Sequence, residues 1–208
     1  MHKFIELAEF LMTLYVIIIV HEFGHYIMGK KYGYTMPEFA IGLGPRIMQV
    51  FSYAGTRFVL RWIPIGGAVT IEERDPADEH PSMLRRLLWR DIAVYAAGSL
   101  ANLVSVVVVA VLYHVWWHNA VQGSAWQYAV EDRLDMFYVM SVILAVINWL
   151  PIPPLDGGRM LLAFIEIVRN RRITISIKET VLLWGSLGVF IYIIYDWLYF
   201  LYLFFFVW

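Results

Sequence analysis

Long apolar runs, each interrupted by a few polar groups, dominate the chain. Residues 6–29, 92–117, 136–168 and 181–208 reach or exceed the ~20 apolar residues that a bilayer core demands. The pattern therefore predicts an α-helical membrane protein with about four transmembrane helices in a single domain, residues 1–208. The third run is too long for one straight crossing at ~1.5 Å per residue. Pro151, Pro153 and Pro154 interrupt it, and proline cannot continue a helix. Broken backbone at membrane depth is tolerated only beside protein or a watery cavity, so a site is expected near residues 148–158.

Between the first and second runs the period changes. Pro37, Gly42, Gly44, Pro45, Pro64, Gly66 and Gly67 exclude a span over 34–71. Ile47 to Tyr53 and Arg57 to Ile63 read as strands around a turn at Ala54-Gly55-Thr56. Phe39 to Gly44 is a further extended, glycine-rich stretch. So apolar a β segment is expected to be membrane-associated. Glu72, Glu73, Asp75, Asp78 and Glu79 then form an acidic, solvated turn. After them, Ser82 is placed to cap a short interfacial helix with Met83, Leu84, Leu87 and Leu88 toward lipid.

The first run carries the chemistry. Phe10 to Val20 is apolar apart from Thr13, and then come His21-Glu22-Phe23-Gly24-His25. Ionisable groups inside a span cost roughly 2.5–3.5 kcal/mol each on insertion scales, so they call for a functional explanation. On a helix, His21 and His25 share one face a turn apart and can close on one metal ion, with Glu22 beside them to handle a proton. A catalytic zinc site needs a third protein ligand. The chain has no cysteine, which leaves histidine or a carboxylate. Asp156, in the proline-broken segment and followed by Gly157-Gly158, is the best placed. Glu166 and Asp196 are also possible carboxylates, His114 and His118 fall at the outer end of the second run, and His80 lies in the acidic loop.

At 61% hydrophobic and a mean hydropathy of +0.64, the chain is more apolar than soluble domains. Its net charge of −1 matters less than the distribution of charge. Lys30, Lys31, Arg46, Arg57, Arg61, Arg74, Arg85, Arg86 and Arg90 lie between the first and second spans; Arg169, Arg171, Arg172 and Lys178 lie between the third and fourth. The loop at 118–135 holds only Arg133, against Glu131, Asp132 and Asp135. The positive-inside rule places both basic loops in the cytoplasm and both termini outside. Basic residues gathered mainly in loops beside the spans give no reason to expect a nucleic-acid partner.

At His21 to His25 and at Asn148-Trp149-Leu150-Pro151-Ile152-Pro153-Pro154-Leu155-Asp156-Gly157-Gly158, the chain resembles the site-2 protease family of intramembrane zinc metalloproteases. Its motifs look like those of the bacterial branch that includes the regulator-of-sigma-E protease. Glu38 to Pro45, Ile63 to Val69 and Ala97 to Asn102 also match, so the resemblance covers most of residues 15–170. It implies zinc bound by His21, His25 and Asp156, Glu22 as general base, Asn148 holding the substrate backbone, and 34–71 as a re-entrant β element that guides substrate. An exposed strand edge at Gly42-Leu43-Gly44 is the expected docking point for an unwound substrate. The implied function is cleavage of membrane proteins, single-span ones above all, within a bacterial cytoplasmic membrane, at a site toward the cytoplasmic side.

Two departures stand out. Only about 118–135 is available where relatives commonly carry PDZ domains, and Ser99 replaces the usual proline after Ala97-Gly98. Three other readings compete: a membrane peptidase with Glu166 as third ligand, a zinc transporter, and a non-catalytic membrane adaptor.

Overall fold

The computed structural model describes residues 2–72, 81–117, 122–123 and 126–206. Most of the acidic turn (73–80), with His80, and also His118 lie outside the described residues, as does the side chain of Asp196. The elements are α1 (His2–Lys31), β1 (Glu38–Tyr53), β2 (Thr56–Thr70), α2 (Pro81–Leu112) continued by a π turn (Tyr113–Trp117), α3 (Gln127–Trp149), α4 (Asp156–Arg169) and α5 (Ile175–Phe206). Among the described residues, Phe4–Lys31 and Met83–Val115 are long and apolar enough to cross a membrane. The third apolar run falls in two helices, α3 and α4, on either side of the proline segment, and the fourth run overlaps α5.

The short interfacial helix expected after Ser82 is not separate. Pro81 opens α2, where its missing N–H is no loss, and nothing in residues 83–112 stops the helix. Leu84 and Leu88 turn inward and are buried, whereas Met83 stays exposed. The β element fills the expected 34–71 segment with longer strands, because the stretch from Glu38 to Gly44 belongs to β1 and that from Pro64 to Thr70 to β2. Ala54 and Gly55 both take positive φ, 48° and 76°, as a tight hairpin turn requires.

The helices that carry the site meet through missing side chains. A Cβ on Gly24 would lie 2.4 Å from the Ala97 carbonyl oxygen and 2.7 Å from the Ala101 Cβ, so α1 and α2 touch backbone to backbone. Gly185 of α5 likewise rests on the break, where its Cβ would lie 2.4 Å from that of Pro153. Outward faces of α1, α2 and α3 present apolar side chains, among them Met12, Val104, Val107 and Val146, all more than half exposed. Such a belt suits lipid rather than water.

The sheet is fastened to α1 by rings. Tyr26 of α1 meets Phe39 and Phe58 edge-on at 5.9 and 5.5 Å, and those two phenylalanines stack at 5.1 Å. Lys30 donates to the Ala54 carbonyl at the hairpin tip, 2.7 Å away. Because both strands bend, residues 38–41 pair with 57–60 on one side (Phe39↔Phe58) and with 67–70 on the other (Phe39↔Val69). The far side of 67–70 is therefore an edge, and it faces α1.

At the end bearing the basic loops, a buried polar cluster ties the elements together. Asp91 of α2 takes hydrogen bonds from the Tyr34 hydroxyl and, at 2.7 Å, from Arg172. Burial and the adjacent carboxylate hold the Tyr34 phenol above its usual pKa, so it stays a donor. Glu166 of α4 is wholly buried, 3.1 Å from Lys178 of α5, and accepts the Ile173 N–H at 2.6 Å. At the opposite end Arg133 pairs with Glu9.

Replacing Gly24 by alanine should cost about 1–3 kcal/mol through overpacking, seen as a lower midpoint of thermal unfolding in detergent. An unchanged midpoint would mean that α1 and α2 do not need this approach.

Candidate metal centre

His21 and His25 sit one turn apart on α1, and Asp156 enters from the first turn of α4. The Nε2 of His21 lies 2.9 Å from Oδ2 of Asp156, that of His25 lies 3.1 Å from the same oxygen, and the two nitrogens are 3.1 Å apart. Asp156 reaches this point because the helix breaks at 150–155 and restarts. Gly157 and Gly158 let the new helix lie on the backbone of the break; a Cβ on either would come within 2.3 Å of the Leu150 oxygen or 2.7 Å of the Ile152 carbonyl carbon. The positive end of α4 also favours a carboxylate there.

The donor set fits a cation. His25 donates its Nδ1 proton to the Val94 carbonyl at 2.8 Å. In the neutral ring Nε2 then presents a lone pair, and it faces a carboxylate oxygen and a second imidazole nitrogen. Lone pairs in that arrangement repel unless a positive charge sits between them. Tetrahedral zinc with bonds of roughly 2.0–2.2 Å sets its ligand atoms about 3.3–3.6 Å apart, and the observed triangle of 2.9–3.1 Å reaches this by opening roughly half an ångström. Room exists because residue 98 is glycine: its Cβ would stand 2.4 Å from Nε2 of His25 and 2.7 Å from Nε2 of His21.

Glu22 is next to the cluster, and its Oε2 accepts the Val69 N–H at 3.2 Å. A cleft of about 340 Å³ joins His21, Glu22, His25 and Asp156 to Asn148, Arg159 and residues 66–69 of β2. Asn148 donates to the Leu144 carbonyl at 3.1 Å, and Arg159 lies over the Tyr95 ring at 5.8 Å.

Sequence reasoning grouped His21, Glu22, His25, Asp156 and Asn148, and the fold brings all five to this cleft. Gly42, Leu43 and Gly44 are elsewhere, at the bend of β1: Gly42 and Gly44 take φ of 92° and 85°, and a Cβ on Gly42 would strike the Ile63 oxygen at 2.6 Å. The strand edge bordering the cleft is residues 66–69 instead, and Leu43 contributes only by packing under Gly66. Glu166 does not approach the cluster, being committed to Lys178 and Ile173, and His114 contacts Tyr113 at the far end of α2. Sequence reasoning gave no site role to Val94, nor to Gly98 and Asn102, which lie in the matching stretch Ala97 to Asn102. An asparagine within an apolar span was the signal available for the last.

Sequence comparison relates the chain to known proteins. The family model for peptidase family M50 matches residues 9–119 and 116–193. The chain is 34% identical over 104 residues to the regulator of sigma-E protease RseP of Escherichia coli, covering 48% of this chain and 23% of that one. It is 39% identical over 93 residues to a candidate zinc metalloprotease of Xylella fastidiosa, covering 42% and 21%. A candidate zinc metalloprotease of Agrobacterium fabrum is 32% identical over 126 residues, covering 53% and 33%. The chain thus spans no more than a third of the length of these relatives.

Gly98→Ala should weaken divalent-metal binding by at least ~10-fold with helix content unchanged, as measured by zinc titration and far-UV circular dichroism. Undiminished affinity would place the ion away from α2.

Proposed function

The chain belongs to peptidase family M50, and from the cleft just described we propose that it is a zinc-dependent endopeptidase that cuts membrane proteins within or beside the bilayer. The observation that carries this reading is the convergence of two imidazole nitrogens and one carboxylate oxygen, with a second carboxylate, Glu22, at the same cleft. His21, His25 and Asp156 would hold the zinc. When bound, zinc supplies Lewis acidity and brings the pKa of water to roughly 7.

The residues around it divide the remaining work. Glu22, steadied by the Val69 N–H, takes the proton from the attacking water and returns it to the leaving amine. Asn148 can turn its amide from the Leu144 carbonyl to the substrate carbonyl, where negative charge develops. A helical substrate hides its carbonyls in its own hydrogen bonds and must unwind before attack. Besides the Val69 N–H, which Glu22 holds, the backbone edge at 66–69 borders the cleft, and strand addition of the unwound segment there satisfies that segment in a low-dielectric setting. The Val69 N–H points outward to Glu22, so a segment docked on this edge runs past the general base.

The full arrangement we propose has four crossings: α1, α2, the broken pair α3–α4, and α5. Both basic loops face the cytoplasm, with the site toward that side of a bacterial cytoplasmic membrane. Single-span membrane proteins suit the cleft best.

Glu22→Gln should reduce cleavage of a co-expressed single-span protein at least ~100-fold while zinc content stays at the wild-type level. Persisting turnover would remove Glu22 from the chemistry. Because the chain has no cysteine, Ala68→Cys in that inactive background should cross-link to single cysteines along the substrate with a period of about two residues, the signature of a strand. A helical period, or no cross-link, would argue against capture at this edge.

A further inference from the structure

Two histidines on α1 each need a partner for the nitrogen that faces away from the metal, and one face of α2 offers both. Val94, Gly98 and Asn102 follow at intervals of four, so they stack along one side of α2. The Val94 carbonyl takes the Nδ1 proton of His25. Gly98 leaves the space between them open, and two turns on the Asn102 carboxamide comes to 3.4 Å from Nδ1 of His21 through its Nδ2. Asn102 is wholly buried, and its Oδ1 has no hydrogen-bond partner.

A buried amide within an apolar helix is costly unless it satisfies another polar group. A neutral ring that gives Nε2 to a metal keeps its proton on Nδ1. Opposite the Asn102 NH2, that proton would meet another donor. Opposite Oδ1 it meets an acceptor, and a half-turn of the carboxamide exchanges the two ends with almost no change of shape. We propose that Asn102 is the positioning residue of His21: its Oδ1 accepts the Nδ1 proton, fixing the tautomer and aiming Nε2 at the metal, as the Val94 carbonyl does for His25. The inference rests on reading the His21–His25–Asp156 cluster as a zinc centre and adds what orients its first ligand.

The test is zinc affinity, measured by chelator competition on the purified full chain in detergent. Asn102→Leu removes the acceptor at similar volume and should weaken zinc binding by about 10–100-fold, while Asn102→Asp keeps an acceptor and should bind within about 3-fold of wild type or tighter. The opposite order, leucine tolerated and aspartate not, overturns the proposal, since it is what an amide that merely fills space would give. Should either variant fail to fold, nitrogen-15 spectra of the wild-type zinc-loaded chain decide. A His21 Nδ1 proton protected from solvent exchange supports the proposal, and a rapidly exchanging one overturns it. A wild-type chain that binds no zinc overturns both readings; tight wild type with an equally tight leucine variant overturns this one alone.

Discussion

Two imidazoles and a carboxylate on an apolar helix cannot be left to lipid, and the rest of the structure follows from that constraint. Each such group costs several kcal/mol unless it is paired, ligated or solvated. Here α2 comes close enough to give a backbone carbonyl to His25, which it can do because Gly24 and Gly98 bring the helices into contact. The proline segment stops the third apolar run at the depth where Asp156 can face both rings. The sheet closes the remaining side, and its edge strand donates to Glu22. Each of these elements supplies a partner for one group of the His21–His25 turn.

The same economy explains the cleft. Water must reach a site surrounded by apolar helices, and an open cleft between α1, β2 and the proline segment provides that route. Backbone outside regular helix or paired strand occurs at this place, in the turns of the break at 150–155 and along the outer edge of 66–69. Both are the kinds of backbone that membrane depth forbids against lipid and permits around a wet cavity. Under the proposed function, a substrate that unwinds there exchanges internal hydrogen bonds for bonds to the edge, rather than losing them.

Much of this could be read from residue order. The i, i+4 histidines and the prolines around Asp156 are local signals, and each placed its residue in the cleft. What depends on pairing between distant segments could not be read that way. Gly42 to Gly44 read as an exposed, extended edge, yet in the fold Gly42 and Gly44 take positive φ at a bend, and 66–69 border the cleft. The short helix expected after Ser82 merged into α2, since no stop signal separates the arginines at 85, 86 and 90 from the apolar run. Glu166 shows the converse: a buried carboxylate that resembles a ligand in sequence is, in space, the counter-ion of Lys178.

X-ray absorption at the zinc edge of the purified, metal-loaded chain tests the central claim most directly. The account predicts one zinc per chain, bound by two imidazole nitrogens with the remaining ligands oxygen, at roughly 2.0–2.2 Å. A shell with fewer than two imidazoles, or no stoichiometric zinc at all, would contradict it.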